Sequence, residues 1–215
     1  MKKGLTSFQL KCVAVTTMLV DHVGAIFLPE HIELRYIGRI AFPLFCFLLV
    51  EGFFHTRDVR KYMFRLGAFA LLSEIPYDLA FRGAVLDFEK QNVFFTLFIG
   101  VFLMYWLERC KEWPTKIVEV LLAMWFAGVL CTDYSFKGIL LIAIYYFLRK
   151  YKWLCLGMGA VWGLIWGGIQ RWCILATPLL AAYNGEKGRS MKYFFYAFYP
   201  LHLLILYLVK LALGI

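Results

Sequence analysis

The chain has 215 residues, of which 62% are hydrophobic, 19% aromatic and only 17% charged. Soluble domains average about 45–50% apolar and about 25% charged residues, so this composition excludes an ordinary soluble protein and indicates a helical membrane protein. The net charge of +9 arises from Lys and Arg in short segments between apolar runs, which argues against a nucleic-acid partner and for a topology signal.

The apolar runs predict an all-α, polytopic membrane bundle that forms a single domain over residues 1–215. A helix that crosses a bilayer needs about 17–25 residues. The segments that we predict on this basis are 8–28, 36–54, 62–81, 93–108, 117–131, 134–148, 153–169, 172–183 and 193–213. The sixth and eighth, 134–148 and 172–183, are short, so each is either a full span or a re-entrant segment.

The distribution of basic residues supports this count of nine. Short cytoplasmic loops of membrane proteins are enriched in Lys and Arg. With the N-terminus inside, sixteen of the 23 basic residues, Lys2 among them, fall on the cytoplasmic side and seven on the outer side. We therefore expect a multi-pass protein of the bacterial cytoplasmic membrane with its N-terminus inside and its C-terminus outside.

The first apolar segment contains an unusual pair, Asp21 and His22. An ionisable side chain near the bilayer centre costs roughly 2.5–3.5 kcal/mol on insertion scales, so such residues mostly line a cavity or take part in chemistry. A histidine held by a carboxylate acts as a general base near neutral pH. The pair therefore indicates a site, although a plain helix-interface hydrogen bond would also account for His22.

Other polar residues of the apolar segments are predicted to lie at a similar depth. Pro76 interrupts the third segment near two carboxylates, and Pro200 precedes a second histidine in the last segment. The candidates for binding an oxyanion or an acceptor are Arg39, Glu74, Tyr77, Asp78, Asn92, Asp133, Tyr134 and His202. A structural ion pair of Glu74 and Asp78 with Arg39 is the alternative. The six cysteines are scattered and show no metal-ligand spacing, so we expect no metal.

Six short motifs in order carry a resemblance to a known family. They are Met18-Leu-Val-Asp21-His22-Val-Gly24, Arg39-Ile-Ala-Phe-Pro43, Ser73-Glu74-Ile-Pro76-Tyr77-Asp78, Gln91-Asn92-Val-Phe-Phe-Thr96, Thr132-Asp133-Tyr134 and Tyr199-Pro200-Leu-His202. Together they resemble the TraX family over nearly the whole chain. TraX proteins are known as acetylases of the F-pilin N-terminus and are similar to the transmembrane acyltransferases that modify surface sugars.

The resemblance implies an enzyme that moves an acetyl group from cytoplasmic acetyl-CoA, or another acyl-CoA, to an amine or hydroxyl outside. His22 would deprotonate the acceptor or briefly carry the acyl group, and Asp21 would orient the imidazole. Arg39 or Asn92 would stabilise the oxyanion. A basic group at the inner face would bind the phosphates of coenzyme A: Arg57, Arg60, Lys61 and Arg65. The alternative is that these residues serve only as the positive-inside signal.

Three kinds of acceptor are compatible with the resemblance: a pilin N-terminus, a surface glycan and another small molecule. Two other functions compete with acyl transfer. A proton-coupled transporter would use Asp21, Glu74, Asp78 and His202 as a relay, but no inverted repeat is evident. A noncatalytic assembly factor would bind pilin or lipid through its aromatic surfaces.

Overall fold

The computed structural model describes residues 3–214, and every regular element in that range is helical. The helices are α1 Ser7–Phe27, α2 Ile32–Gly38, α3 Ala41–His55, α4 Val59–Arg82, α5 Val93–Leu107, α6 Trp113–Val129, α7 Ser135–Leu148, α8 Lys152–Trp166, α9 Ala176–Ala181 and α10 Lys192–Leu213. A short 3₁₀ segment, Gly168–Leu175, joins α8 to α9. Lys2, which the charge analysis assigns to the cytoplasmic side, lies outside the described residues.

The membrane character is clearest in three helical stretches. Ser7–Phe27, Ile32–His55 and Lys192–Leu213 are long and apolar enough to cross a bilayer by length and composition, and Val93–Leu107, Ser135–Leu148 and Lys152–Trp166 are shorter apolar helices. The all-helical prediction is confirmed. The count of nine spans and the orientation of the termini stay predictions.

Two predicted segments differ from the structure. The second, 36–54, is divided at Arg39 and Ile40 into α2 and α3, so the two arginines Arg35 and Arg39 stand at the end of a short helix. The eighth, 172–183, is a 3₁₀ segment followed by the six-residue α9. Gly167 and Gly168 both have positive φ and end α8 there, because glycine adopts this conformation without a side-chain clash.

Pro43 explains part of the break between α2 and α3. It lies in the first turn of α3, where a missing backbone N–H is tolerated, but it leaves the carbonyl of Arg39 without its helical donor. The thiol of Cys173 donates to that carbonyl at 3.3 Å. The 3₁₀ segment is thereby attached to the point at which the chain turns into the core.

The helices form one bundle around α3. Helix α3 contacts α1, α5, α7 and α9, whereas α10 packs against α4 and α1. Helix α6 packs mainly on α5 and α7, and Ala127 is its one buried residue among residues 3–214, so most of its apolar surface faces outward as lipid contact requires. Pro76 and Pro200 lie inside α4 and α10, and both helices continue through them.

Candidate functional site

Two adjacent cavities lie within the bundle. We name them after the sides on which the predicted topology places them: the inner cavity has a volume of about 700 Å³, and the outer pocket has a volume of about 50 Å³. Four residues line both of them and therefore lie between the two; we call this set the neck: Met18, Phe45, Val93 and Tyr199. The neck is mostly apolar, which suits passage of a thin, weakly polar chain.

The outer pocket brings together five of the predicted site residues from three parts of the chain. It is lined by Asp21 and His22 of α1, by Arg39 and by the turn before α7, with Asp133 and Tyr134. The structure therefore brings these five predicted residues into one pocket.

Asp21 pairs with arginine and not with its neighbour His22. Both carboxylate oxygens of Asp21 lie 2.6 Å from Nη2 of Arg39, and Arg35 approaches at 3.3 Å. The side chains of Asp21 and Arg39 are only 8% and 9% exposed, so the pair is buried. The prediction that Asp21 orients the imidazole is wrong in its geometry, because its oxygens bind the guanidinium groups instead.

Arg39 links the pocket to the turn before α7. Its Nη1 donates to the hydroxyl of Tyr134 at 3.1 Å, and the Tyr134 ring stacks on Phe42 with centroids 3.5 Å apart. Tyr134 has a φ of 62°, a conformation that costs free energy in a non-glycine residue and that these two contacts help to hold. Nε of Arg39 is buried and has no partner within residues 3–214, which leaves one donor available beside the pocket.

His22 has its own partner on the last helix. Its Nδ1 lies 2.7 Å from Nε2 of His202, and the two rings are nearly parallel, with centroids 5.0 Å apart. The edge of the His22 ring also contacts Phe81 at a centroid distance of 5.2 Å. His202 thus occupies the place beside the imidazole that the sequence assigned to Asp21.

Asp133 closes the outer side of the pocket. Its carboxylate pairs with Lys90 at 2.9 Å, and its backbone carbonyl accepts a hydrogen bond from Thr96. Its backbone N–H also donates to the carbonyl of Gln91 at 2.8 Å. These contacts fix the turn before α7 against the start of α5.

The remaining predicted acceptor-binding residues lie outside both cavities. Asn92 caps α5 through Oδ1 and donates from Nδ2 to the carbonyl of Ala70 at 2.8 Å and to Glu74. Asp78 accepts the backbone N–H of Asp87 at 2.8 Å. Tyr77 is buried against Phe81 at a centroid distance of 5.2 Å. The structure gives these four residues contacts that hold α4, α5 and their connecting loop together.

That connecting loop carries its own ion pairs. Arg82 lies 2.9 Å from Asp87 and 2.7 Å from Glu89. The backbone N–H of Glu89 donates to Asp87, and together with the Arg82 guanidinium it lowers the pKa of Asp87. The carboxylate therefore stays ionised at neutral pH and keeps the loop closed over the end of α4.

Six Lys and Arg residues line the inner cavity. Arg57 and Arg65, two of the four residues predicted to bind coenzyme A, line it, whereas Arg60 lies 3.4 Å from the hydroxyl of Tyr105 and Lys61 pairs with Asp58 at 3.6 Å. Four further basic residues line the cavity that the sequence analysis treated only as topology signals: Lys11, Lys187, Arg189 and Lys192. Glu51 also lines it, and Arg149 binds that carboxylate at 2.8 Å.

The loop that carries Lys187 and Arg189 is attached to the start of α1. Backbone N–H groups of Ser7 and Phe8 donate to the carbonyls of Glu186 and Lys187 at 2.8 and 3.1 Å. Gly188 has a φ of 67°, and a side chain there would collide with Thr6. The loop is therefore held in one position at the mouth of the cavity, with its two basic side chains exposed.

Comparison with known proteins identifies the family. The model of the family described as TraX protein matches residues 7–210. The chain belongs to the TraX family. Together with the apolar helices, this membership makes the chain a TraX-family membrane protein.

Two curated relatives bear names that refer to a biological process or to the family. This TraX-family chain is 32% identical to the probable fimbrial assembly protein FimC, serogroup H1, of Dichelobacter nodosus, and 97% of each chain is covered. It is 28% identical to Protein TraX of Escherichia coli over 66% of this chain and 55% of that protein, so it spans about half the length of that relative. No solved structure matches the chain.

Proposed function

We propose that this TraX-family chain is an integral-membrane acyltransferase that moves an acetyl group from acetyl-CoA on the cytoplasmic side to an acceptor amine on the outer side. One observation carries the proposal. A wide cavity with a basic mouth adjoins, across residues common to both cavities, a small pocket lined by a histidine and an arginine.

The basic mouth suits the donor. Coenzyme A carries several phosphate charges, and Arg and Lys recognise phosphate through charge-assisted hydrogen bonds. Of the residues that line the inner cavity, six are basic, and the one carboxylate in that lining set, Glu51, is already engaged by Arg149. The phosphates would bind near Lys187, Arg189 and Arg65, and the pantetheine arm would extend through the neck.

The outer pocket suits the reacting groups. The acceptor amine attacks the thioester carbonyl, and the carbonyl carbon forms a bond to nitrogen as its bond to sulfur breaks. His22 takes the proton that the amine loses and returns it to the leaving thiolate, so the products are the amide and free coenzyme A. The unpartnered Nε of Arg39 is the donor that would stabilise the oxyanion. Asn92, whose amide is fully engaged elsewhere, is not assigned this role.

The acceptor is proposed from a relative's name. The Dichelobacter nodosus relative is named a probable fimbrial assembly protein, so we propose the amino group of a pilin subunit as acceptor. A glycan hydroxyl is the other outcome that an acceptor screen would detect. The pocket volume of about 50 Å³ exceeds the roughly 10–15 Å³ of cavity volume that is needed to hold one water, which suits a short acyl group such as acetyl.

The test is release of free coenzyme A from acetyl-CoA by the protein in lipid nanodiscs, with and without purified pilin. His22→Ala is expected to lower turnover by about 10²–10⁴, the range of general acid–base catalysis. His31→Ala is the matched control, because His31 lies on an exposed loop next to Glu30 and Glu33. Unchanged turnover in His22→Ala, or no turnover in the unmodified protein, would reject the proposal and favour a noncatalytic assembly factor.

A further inference from the structure

The hydrogen bonds around His202 determine which of its ring nitrogens carries a proton. Nδ1 of His202 lies 2.8 Å from the backbone carbonyl of Phe198, one helical turn earlier in α10. A carbonyl oxygen accepts hydrogen bonds and cannot donate one. Nδ1 of His202 must therefore be the protonated nitrogen, and a neutral His202 presents a bare Nε2.

The same reasoning extends to His22. Its Nδ1 lies 2.7 Å from Nε2 of His202. Two bare nitrogens at this distance would place their lone pairs against each other, so Nδ1 of His22 must carry the proton and donate it. In a neutral imidazole the other nitrogen is then unprotonated. Nε2 of His22 thus keeps its lone pair, and the structure gives that atom no hydrogen-bond partner within residues 3–214.

The surroundings of His202 favour its neutral form. The side chain is buried, with the residue 6% exposed, and its ring stacks on Phe198 with centroids 4.9 Å apart and meets the edge of Tyr199 at 5.6 Å. A buried charge without a counter-charge is costly. The two carboxylates that line the outer pocket, on Asp21 and Asp133, are already bound by Arg39 and Lys90, so neither is available to balance a proton on His202.

We infer that His202 is a positioning residue that fixes His22 in the Nδ1–H tautomer and leaves Nε2 as the base. The role of Nε2 as the catalytic base rests on the proposed function. The hydrogen bond between the two histidines does not depend on it. When Nε2 of His22 takes up the acceptor's proton, Nδ1–H continues to donate to a neutral imidazole. That bond strengthens because its donor is now cationic. A carboxylate performs this task in many hydrolases, whereas here a backbone carbonyl acts through a second imidazole.

The tautomer can be measured directly. The chain has four histidines, and His31→Asn with His55→Asn leaves only the pair in question for ¹⁵N-histidine solid-state NMR in nanodiscs. We expect a protonated Nδ1 and an unprotonated Nε2 in both rings, with a through-space contact between Nδ1 of His22 and Nε2 of His202. A protonated Nε2 on His22 would overturn the inference.

Kinetics with two variants at position 202 separate positioning from packing. His202→Gln retains a side-chain oxygen that can accept from His22, so we expect it to keep about a tenth of the wild-type turnover. His202→Leu fills similar space without an acceptor, and we expect about a 100-fold loss in turnover with an unchanged KM for acetyl-CoA. Equal losses in the two variants would contradict a positioning role.

The two failures can be distinguished. If the unmodified protein transfers no acetyl group but shows the expected tautomers, the proposed function falls and the hydrogen-bonded pair stands. If it transfers acetyl groups with the opposite tautomer, only the inference about His202 falls. Thermal unfolding of each variant verifies that the bundle has formed.

Discussion

Replacing Gly38 by alanine should damage both the packing and the ion pair of the outer pocket. Gly38 ends α2 against α1, and a methyl group built there would lie closer than 3.0 Å to the Cβ, Cγ and Oδ1 atoms of Asp21. Non-bonded carbon atoms prefer separations of about 3.5–4.0 Å. The Asp21 side chain cannot retreat without leaving Arg39, because both of its oxygens bind that guanidinium.

The expected cost follows from these two effects. Overpacking costs about 1–3 kcal/mol, and breaking a buried ion pair costs about 3–5 kcal/mol. Arg35 stays near Asp21 at 3.3 Å and reduces the second contribution. We therefore expect Gly38→Ala to lose about 3 kcal/mol of unfolding free energy, which for a chain of this size lowers Tm by about 6–12 °C.

Thermal unfolding in detergent or nanodiscs measures this shift, and Gly157→Ala is the matched control. Gly157 is also a helical glycine, but a methyl group there would meet no atom within 4 Å. Alanine favours a helix by about 1 kcal/mol over glycine, so the control should unfold at an equal or slightly higher temperature. If the two variants unfold at the same temperature, α1 and α2 do not pack in the way described.

Three further predictions concern the donor site, the bundle and the pocket. Lys187→Glu should raise the KM for acetyl-CoA about tenfold, since a charged hydrogen bond contributes about 1.5–3 kcal/mol. Steady-state kinetics measure this change. The control is Lys111→Glu, which lies outside the cavity and should not change KM. Asn92→Ala removes the cap of α5 and leaves Glu74 without its donor, so we expect a loss of about 2–4 kcal/mol in thermal unfolding; an unchanged Tm would show that these bonds do not stabilise the bundle. Met18→Ala widens the neck and should raise turnover of hexanoyl-CoA relative to acetyl-CoA, whereas an unchanged ratio would show that the neck does not select chain length.

Much of the helical architecture follows from the sequence alone. Long apolar runs must form helices in a membrane, since every backbone polar group needs an internal partner. The predicted segments 62–81, 93–108 and 193–213 accordingly correspond to α4, α5 and α10. The eighth predicted segment, 172–183, for which a re-entrant segment was the alternative to a full span, is a 3₁₀ segment followed by the short α9. Gly167 and Gly168, which end α8 just before it, are the signal for this break in the sequence.

The basic lining of the inner cavity was only partly predictable. Charge counting identifies basic residues near the cytoplasmic face, but it does not say which of them share a cavity. Lys61 pairs with Asp58 at the start of α4, whereas Lys187 lies at the cavity mouth because its loop is hydrogen-bonded to α1. These contacts join residues distant in the chain, so no local pattern contains them.

The sequence by itself determined that two side chains of the first helix need partners, because an aspartate and a histidine in an apolar run are too costly to occur without them. Only the tertiary structure decided which residues those partners are. Successive residues of a helix point about 100° apart, so Asp21 and His22 face different neighbours. Asp21 meets Arg39 at the break before α3, and His22 meets His202, 180 residues further along the chain.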